Sequence, residues 1–351
     1  MTFEALTGRP VHTALGQAGH ALDHIRLARS ANLVVVAPAT ADFLARAAGG
    51  RANDLLSACL LATPAPVLLV PAMNDRMWAH GQTARNVAHL RELGYHVLDP
   101  DTGELAAGEG SGPGRMPEPE QILAHAARHL EMRGPLAGRR VLVTAGPTRE
   151  AVDPVRFLSN RSSGKMGVAL AAAAWRRGAT VELVAGPLDV ASPVGAQHRS
   201  VETTEDMLAA VRNGLATADV LVMAAAPADF RATAPAATKM KKDRAPSSLG
   251  LTTAPDILRE TIGDRPPHLI TVGFALETDD VLANAAAKLE AKALDLLVVN
   301  DALEEGAGFG VDTNRVTILS RDGARTDLPL LDKRDVADAI LDRVEALLHG
   351  R

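Results

Sequence analysis

The sequence has little cysteine, no excess of positive charge and no long apolar run. Its one cysteine, Cys59, cannot form an internal disulfide, and no charged-then-apolar leader opens the chain, so we expect a reducing cytoplasm. With 37 Lys+Arg against 42 Asp+Glu, the net charge of -5 excludes the broad positive field of a non-specific nucleic-acid binder. No apolar run approaches the roughly 20 residues of a membrane-spanning helix. An anionic ligand therefore needs a local cluster of positive charge.

Lysine is also scarce, because 30 of the 37 basic residues are arginines. The first 164 residues contain no lysine at all. In a chain that uses arginine for surface charge, a lysine indicates a need for its compact, rotatable ammonium group. The seven lysines are Lys165, Lys239, Lys241, Lys242, Lys288, Lys292 and Lys333.

The length of 351 residues suggests about two domains of roughly 100–200 residues each. Short apolar runs alternate with segments of helical period, which is the pattern of parallel, doubly wound α/β sheets. Residues 101–120 are so rich in glycine and proline that we predict a loop or flap without regular elements, followed by a helix from about Pro119 to Met132. Strands are predicted at residues 32–37, 66–71, 95–99, 140–145, 180–185, 219–225, 269–274 and 296–300.

A short linker of residues 134–138 separates the two predicted domains, residues 1–133 and 139–351. The first domain opens on a helical pattern that ends before Gly8, and its first clear strand comes only at residues 32–37. A doubly wound domain is expected to begin with a strand and a glycine-rich phosphate turn. We therefore expect either that the opening β-α-β is lost or that the start has been placed too late.

In the second domain, a turn from Asn160 to Gly167 lies between a strand and an alanine-rich helix. Backbone amides at the start of that helix, together with the serine hydroxyls and Lys165, would form an anion cradle. The alternative is that Ser162 and Ser163 only cap the helix, and the sequence favours neither reading.

The remaining lysines gather at the ends of strands and helices. Lys239, Lys241 and Lys242 fall within four residues, in a loop that follows the strand end at residues 224–231. Such a run is usually a solvated face, but here it favours a mobile phosphate clamp. Lys288 and Lys292 share one helix face, where they could equally be ordinary surface residues. Together these positions indicate a polyphosphate ligand.

In the first domain, two predicted strands end in polar residues, at Ala37–Asp42 and at Pro71–Asn74. Asn74 could donate its amide to a carboxylate or, more commonly, cap a turn. His24 could act as a general base near neutral pH, although a lone histidine on a helix is more often structural.

These motifs resemble one family over essentially the whole chain, the bifunctional coenzyme A biosynthesis proteins that fuse phosphopantothenoylcysteine decarboxylase to phosphopantothenate-cysteine ligase. The resemblance implies a flavodoxin-like first domain, here without its opening strand and glycine-rich turn, and a Rossmann-like ligase domain that pairs into a homodimer at least. The motifs that carry it are residues 37–42, 53–54, 71–74, 144–150, 153–156, 159–167, 228–231, 239–242 and 273–274.

For the second domain, the resemblance implies ligation of 4'-phosphopantothenate to L-cysteine with CTP and Mg²⁺, through an acyl-cytidylate. Lys239 would stabilise the triphosphate, and Asn160 would hold the acyl-cytidylate. The metal ligands are unassigned. Ala254 stands where the family usually has asparagine. The residues implied around CTP are Met223, Ala224, Ala225, Asp229, Lys239, Pro255, Asp256, Ile257, Leu258, Phe274, Lys288 and Lys292.

For the first domain, the resemblance implies FMN-dependent decarboxylation of 4'-phosphopantothenoylcysteine to 4'-phosphopantetheine. His24 would be the active-site histidine, Asn74 would bind the substrate carboxylate, and Ala37, Pro38, Ala39 and Thr40 would border the flavin.

The family's flap usually carries a cysteine as proton donor, and the best match here is Ala107. Cys59 cannot replace it, because it lies in an apolar helix predicted at residues 53–61 and belongs to the core. We expect an active ligase and a decarboxylase that is impaired or uses another donor, such as Glu109 or water. The main alternative is a ligase whose first domain serves only assembly, and a more distant one is a flavin-free regulatory module.

Overall fold

The computed structural model describes residues 2–15, 22–105, 108, 110–241, 248–277, 287–301, 308 and 310–350. The chain divides into two compact units, Met1–Leu130 and Glu131–Arg351. None of the helices in the described part of the chain is both long and apolar enough to cross a membrane.

The first unit is built on three parallel strands in the order β1-β2-β3. All three were predicted, with bounds that differ by at most two residues. The central strand is buried along its whole length, which explains its continuous apolar sequence. The strands are β1 (Val34–Ala39), β2 (Val67–Pro71) and β3 (His96–Val97), and the helices are α1 (Thr2–Thr7), α2 (Asp23–Ser30), α3 (Ala41–Ala48), α4 (Leu55–Ala62), α5 (Asp75–Ala79), α6 (Gly81–Glu92) and α7 (Pro119–Glu131).

Side-chain caps fix where two of these helices begin. Thr40 Oγ1 accepts a hydrogen bond from Phe43 N (3.2 Å) and caps α3. Asp54 and Ser57 form a capping box at the start of α4. Each cap satisfies an amide that has no partner within the helix. The start of α3 is thereby fixed directly after β1, at the carboxyl edge of the sheet.

The prediction that residues 101–120 form no regular element before α7 is wrong. Two strands, β4 (Asp101–Glu104) and β5 (Ser111–Arg115), pair as an antiparallel hairpin. A two-stranded ribbon leaves half its backbone groups outside the ladder, so the missing N–H of Pro113 is tolerated. Gly114 adopts a φ of 152°, and its carbonyl accepts from Met73 N (3.0 Å). This contact, distant in sequence, anchors the hairpin.

The second unit contains an eight-stranded sheet in the order β10-β9-β6-β11-β14-β15-β17-β18. The first six strands are mutually parallel, whereas β17 pairs antiparallel with β15 and β18 pairs antiparallel with β17. All five strands predicted in this half are present. The strands are β6 (Arg140–Ala145), β9 (Thr180–Ala185), β10 (Gln197–Ser200), β11 (Val220–Met223), β14 (Ile270–Glu277), β15 (Leu296–Asp301), β17 (Thr317–Ser320) and β18 (Arg325–Asp327).

Helices and three small hairpins complete the second unit. The helices are α8 (Lys165–Arg176), α9 (Thr204–Leu215), α10 (Ile257–Glu260), a 3₁₀ turn (Ile262–Asp264) and α11 (Lys333–His349). The hairpins pair β7 (Arg149–Ala151) with β8 (Phe157–Ser159), β12 (Phe230–Ala232) with β13 (Leu251–Thr253), and β16 (Thr313–Asn314) with β19 (Leu331–Asp332).

The strand order places a topological switch point between β6 and β11. From β6 the chain winds outward through β9 and β10, then returns to β11 on the other side of β6. Crevices at such points, outside the carboxyl ends of the strands, bind ligands in open α/β sheets. Helix α8 packs closely here, because a Cβ on Gly167 would lie 2.5 Å from Ala145 Cβ.

Candidate functional site

A cavity of about 330 Å³ lies in the second unit, beside the carboxyl ends of β11 and β14. Its wall contains most of the residues that the sequence analysis assigns to the nucleotide. Ala224, Lys239 and Lys288 of that assignment lie outside the wall. Lining residues are Met223, Ala225, Pro227, Ala228, Asp229, Phe230, Thr253, Ala254, Pro255, Asp256, Ile257, Leu258, Phe274 and Lys292.

An ion pair crosses one side of this cavity. Lys292 Nζ lies 3.0 Å from Asp256 Oδ2. Asp256 also caps α10, since its Oδ1 accepts from Arg259 N (3.3 Å). Lys288 lies one helical turn earlier, as shown by the hydrogen bond from Lys292 N to its carbonyl (3.0 Å). One lysine therefore reaches the cavity, and the other lies on the same helix outside it.

Asn160 lies at the switch point, next to the cavity. Its Nδ2 donates to Ala226 O (3.1 Å) and to Pro227 O (2.9 Å), and Pro227 lines the cavity. The loops after β6 and β11 are tied together here, because Ala226 N donates to Gly146 O (2.9 Å). Within the part of the chain that the structure describes, no donor reaches Asn160 Oδ1. The amide hydrogens are therefore used by the protein, while the oxygen is available to a ligand.

The start of α8 contradicts the alternative that Ser162 and Ser163 cap the helix. The residue that precedes the helix is Gly164, with a φ of 78° and no side-chain cap, so neither serine caps it. Lys165 Nζ donates to Gly310 O (2.9 Å) and to Asp312 Oδ1 (2.7 Å). That hydrogen bond and the Lys165 charge lower the pKa of Asp312. The ammonium group predicted to bind an anion is thus bound to a carboxylate of the protein itself.

The lysine loop that follows β12 is anchored to the turn between β7 and β8. Met240 N donates to Asp153 Oδ2 (3.2 Å), and Ala236 N donates to Val152 O (2.9 Å). Lys239 and Lys241 flank this anchor and are exposed, while Lys242 lies outside the described residues.

Asp153 was quoted in the sequence motif 153–156 without a role. Burial tends to raise its pKa, but hydrogen bonds from Val155 N, Met240 N and Arg156 N, with the Arg156 charge, hold the pKa below its ordinary value. The aspartate is therefore an ionised anchor. The Asp-Pro step is a turn signal that could have identified it.

In the first unit, the carboxyl edge of the sheet brings three predicted segments together. Ala72 N donates to Ala39 O (3.2 Å), which joins the loop after β2 to the end of β1, where Ala37, Pro38, Ala39 and Thr40 lie. Asn74 Oδ1 accepts from Arg76 N (2.9 Å) and caps α5. The flap hairpin covers the same loop, because Gly112 packs on Asp75 and Gly114 on Met73.

His24 lies on α2, which packs against α4. Its Nδ1 is buried and, among the described residues, has no hydrogen-bond partner. Cys59 on α4 donates its thiol to His24 O (3.5 Å) and is itself buried, which confirms it as a core residue. Burial raises the pKa of this thiol. An unsatisfied buried nitrogen is costly, so a polar ligand at His24 fits the site.

The tip of the flap carries Ala106, Ala107 and Glu109, which lie outside the described residues. At the starts of α3 and α4, a charge network was missed from sequence. Arg46 forms ion pairs with Asp42 and with Asp54, and the hydrogen bonds from Ser57 to Asp54, joined by the Arg46 charge, lower the pKa of Asp54 to about 2. The spacing Asp-x-x-Ser at a helix start is the signal that could have revealed it.

The two halves of the chain match two known families. Residues 1–131 match the family described as Flavoprotein. Residues 136–348 match the DNA/pantothenate metabolism flavoprotein C-terminal domain. The boundary between the two matches lies close to the division between the two compact units.

Full-length relatives have one description in common, coenzyme A biosynthesis bifunctional protein CoaBC. The protein of Bacillus subtilis is 44% identical over 352 residues, covering 99% of this chain and 86% of the relative. That of Mycolicibacterium smegmatis is 47% identical over 365 residues, covering 100% and 88%.

Solved structures match the second half of the chain. The crystal structure of the C-terminal domain of a CoaBC protein is 38% identical with a TM-score of 0.53, covering 62% of this chain and all of that one. A DNA/pantothenate metabolism flavoprotein from Streptococcus pneumoniae, at 21% identity and a TM-score of 0.52, covers 60% of this chain and all of its own. The second likeness shows the shared fold alone.

Proposed function

The chain belongs to the family of bifunctional coenzyme A biosynthesis proteins, and we propose that it uses CTP for its ligase reaction and FMN for its decarboxylase reaction. The ligase half joins 4'-phosphopantothenate to L-cysteine, and the flavoprotein half decarboxylates the product to 4'-phosphopantetheine. The observation that carries the CTP assignment is the cavity beside β11 and β14, with Lys292 in its wall and Asn160 at its edge.

The ligase chemistry requires an activated carboxylate, because a carboxylate does not condense with an amine in water. A carboxylate oxygen of phosphopantothenate attacks the α-phosphorus of CTP, and pyrophosphate leaves. The cysteine amine then attacks the carbonyl carbon of the acyl-cytidylate and displaces CMP. Stabilising the phosphate charge is the main requirement of the first step. Lys239, exposed beside the Asp153 anchor, is suited to reach the triphosphate.

Asn160 is proposed to act in the second step, where it brings the cysteine amine and the bound acyl-cytidylate together. Its amide hydrogens are bound by the carbonyls of Ala226 and Pro227. The side chain therefore offers its Oδ1, which accepts a hydrogen bond from the incoming cysteine amine. An acceptor at this point aligns the amine with the carbonyl carbon, and such alignment accelerates a two-substrate step.

Mg²⁺ is proposed to enter with the triphosphate. Among the described residues, no group of three or more histidine, cysteine, aspartate or glutamate side chains could hold a metal ion. Mg²⁺ in nucleotide-using enzymes is commonly held by phosphate oxygens and water with one or two carboxylates. The phosphates would thus supply most of its ligands.

In the decarboxylase half, Ala37 to Thr40 would border FMN at the end of β1. When bound, FMN supplies the oxidation of the substrate thiol and the later return of the electrons. His24 holds or releases a proton at its buried Nδ1. Asn74 binds the substrate carboxylate from the loop that the flap covers.

A homodimer of the ligase half is proposed from an apolar patch. The hairpins β7–β8 and β12–β13 contact each other, and Val155, Phe157, Phe230 and Leu251 are each about half exposed. Clustered exposed side chains of this size mark interaction surfaces. Replacing Phe157 and Phe230 by serine is expected to give a monomer in light scattering, and an unchanged mass would contradict the assignment.

The buried, unpaired Cys59 suits the proposed cytoplasmic location.

The ligase assignment is tested by pyrophosphate release that depends on both CTP and phosphopantothenate. Lys239→Gln is expected to lower kcat about 100-fold, the usual effect of removing one group that stabilises transition-state charge. Lys241→Gln is the matched control, since it lies on the other side of Met240 and is also exposed. Equal effects of the two substitutions would contradict the role of Lys239.

The decarboxylase assignment is tested by measuring FMN retention, CO2 release and reduced product separately. His24→Gln is expected to abolish CO2 release while cysteine ligation continues. If Ala107 limits protonation of the enethiol, Ala107→Cys is expected to increase the reduced product more than CO2. Purification without any flavin and no CO2 release would favour the alternative of a first domain that serves assembly only.

A further inference from the structure

Arg265 connects two walls of the nucleotide cavity from behind. Its Nη1 donates to Lys292 O (2.8 Å) and to Ala293 O (3.2 Å). Its Nη2 donates to Leu258 O and to Thr261 Oγ1 (3.4 Å). Leu258 and Lys292 line the cavity, whereas Arg265 does not. One guanidinium group thus holds the backbone of both walls.

The acceptors of Arg265 lie at the carboxyl ends of two helices. Leu258 belongs to α10, and Lys292 and Ala293 end the helical turns that begin before Lys288. The last carbonyls of a helix have no partner within it and carry a partial negative charge. The partly buried guanidinium of Arg265 lies between two such ends and donates to both. The Arg265 Nε is itself buried without a partner among the described residues, and burial lowers the pKa of the guanidinium.

The backbone at this junction is in an unfavourable conformation. Ala293 has a φ of 49°, in the left-handed region that favours glycine. Arg265 Nη1 donates to the carbonyl of this same residue. Conformations of this kind persist where the surroundings hold them. The contact therefore fixes the point at which the helix that carries Lys292 ends.

We infer that Arg265 is a positioning residue for the nucleotide, because it holds Lys292 at a fixed separation from α10. The Lys292–Asp256 ion pair can span the cavity wall at 3.0 Å only while these two backbone segments keep their distance. The inference rests on the proposed function of the cavity. Nucleotide affinity then depends on a side chain that never touches the nucleotide.

The planar fork of arginine is essential to this role. It donates in two directions at once, to Lys292 on one side and to Leu258 on the other, and a lysine ammonium on a single flexible stem cannot match that geometry. Arg321 provides a comparison, since its Nε donates to Leu294 O (2.9 Å), one residue beyond Ala293. Among the described residues, Arg321 contacts Leu294 O and Asp295 and reaches no second wall of the cavity.

The test compares Arg265→Lys with Arg321→Lys in the full-length protein. Arg265→Lys is expected to raise the KM for CTP about tenfold, which is about 1.4 kcal/mol of binding free energy. The KM for cysteine, and kcat at saturating CTP, are expected to stay within about twofold. Arg321→Lys is expected to leave all three unchanged. Arg265→Met, if it folds, is expected to bind CTP more weakly than Arg265→Lys.

Calorimetric titration of the unmodified protein with CTP separates the two claims. No saturable binding there would overturn the proposed function and this inference with it. Binding by the unmodified protein together with an unchanged KM for CTP in Arg265→Lys would overturn the inference alone. A lower kcat at unchanged KM would also overturn it, because that result describes a merely structural arginine.

Discussion

Three histidines where α7 meets β3 are expected to make the first unit less stable in acid. His125 and His129 lie one turn apart on α7, and the ring of His129 stacks on His96 of β3 with centroids 3.8 Å apart. Burial lowers the pKa of all three imidazoles, and the charges of Arg128 and of the neighbouring histidines lower the pKa of His129 further, to about 4. The contact is therefore made by neutral rings.

The lowered pKa of His129 sets how much, and in which direction, the free energy of unfolding changes with pH. A change from 6.5 to about 4 at His129 corresponds to about 3 kcal/mol at 1.36 kcal/mol per unit, and partial exposure reduces this to about 1–2 kcal/mol. Because the folded-state pKa is the lower one, the unfolded state binds the proton first. The stability is fully present above pH 6.5 and is lost as the pH falls towards 4.

Hydrogen exchange of the α7 amides between pH 7.5 and 5, corrected for intrinsic rates, measures this loss. Protection of α7 is expected to fall about tenfold in the unmodified protein. His129→Gln, which stays neutral, is expected to remove most of that change. His89→Gln is the control, because His89 is exposed on α6. Equal pH dependence in all three proteins would refute the reasoning.

Three further substitutions test the packing around the ligase site. Gly167→Ala is expected to destabilise the second unit by about 1–3 kcal/mol, because the new Cβ would lie 2.5 Å from Ala145 Cβ. The measurement is the thermal unfolding midpoint, which should fall; an unchanged midpoint would disprove the close packing. Ala293→Gly is expected to gain about 1 kcal/mol in denaturant unfolding by relieving the positive φ, and a loss would contradict this. Asp153→Asn is expected to raise the KM for CTP by releasing Met240, with the KM for cysteine unchanged in steady-state assays.

Much of the main sheets could be predicted from sequence, because their strands are buried, continuous and apolar. Strands β6 and β9 have the predicted bounds. The flap hairpin β4–β5 could not be predicted from sequence, since its glycines and proline disfavour strands locally. It is held by contacts between Gly114 and Met73, which no local pattern reveals.

The candidate site likewise has features that the sequence predicts and features that it does not. The cavity wall follows from segments that leave neighbouring parallel strands, so motif positions such as Asp229 and Phe274 converge there. The ion pair of Lys165 with Asp312 joins residues 147 positions apart. The four hydrogen bonds of Arg265 depend on where two helices end. Such contacts arise only when the chain is folded.

The path of one oxygen atom tests the central claim, that a carboxylate is activated on the α-phosphate of a nucleotide held in the cavity. Phosphopantothenate labelled with oxygen-18 in its carboxylate is ligated to cysteine with CTP and Mg²⁺, and the products are analysed by mass spectrometry. The account predicts one labelled oxygen in CMP and none in pyrophosphate. Label in inorganic phosphate, or CMP free of label, would contradict it.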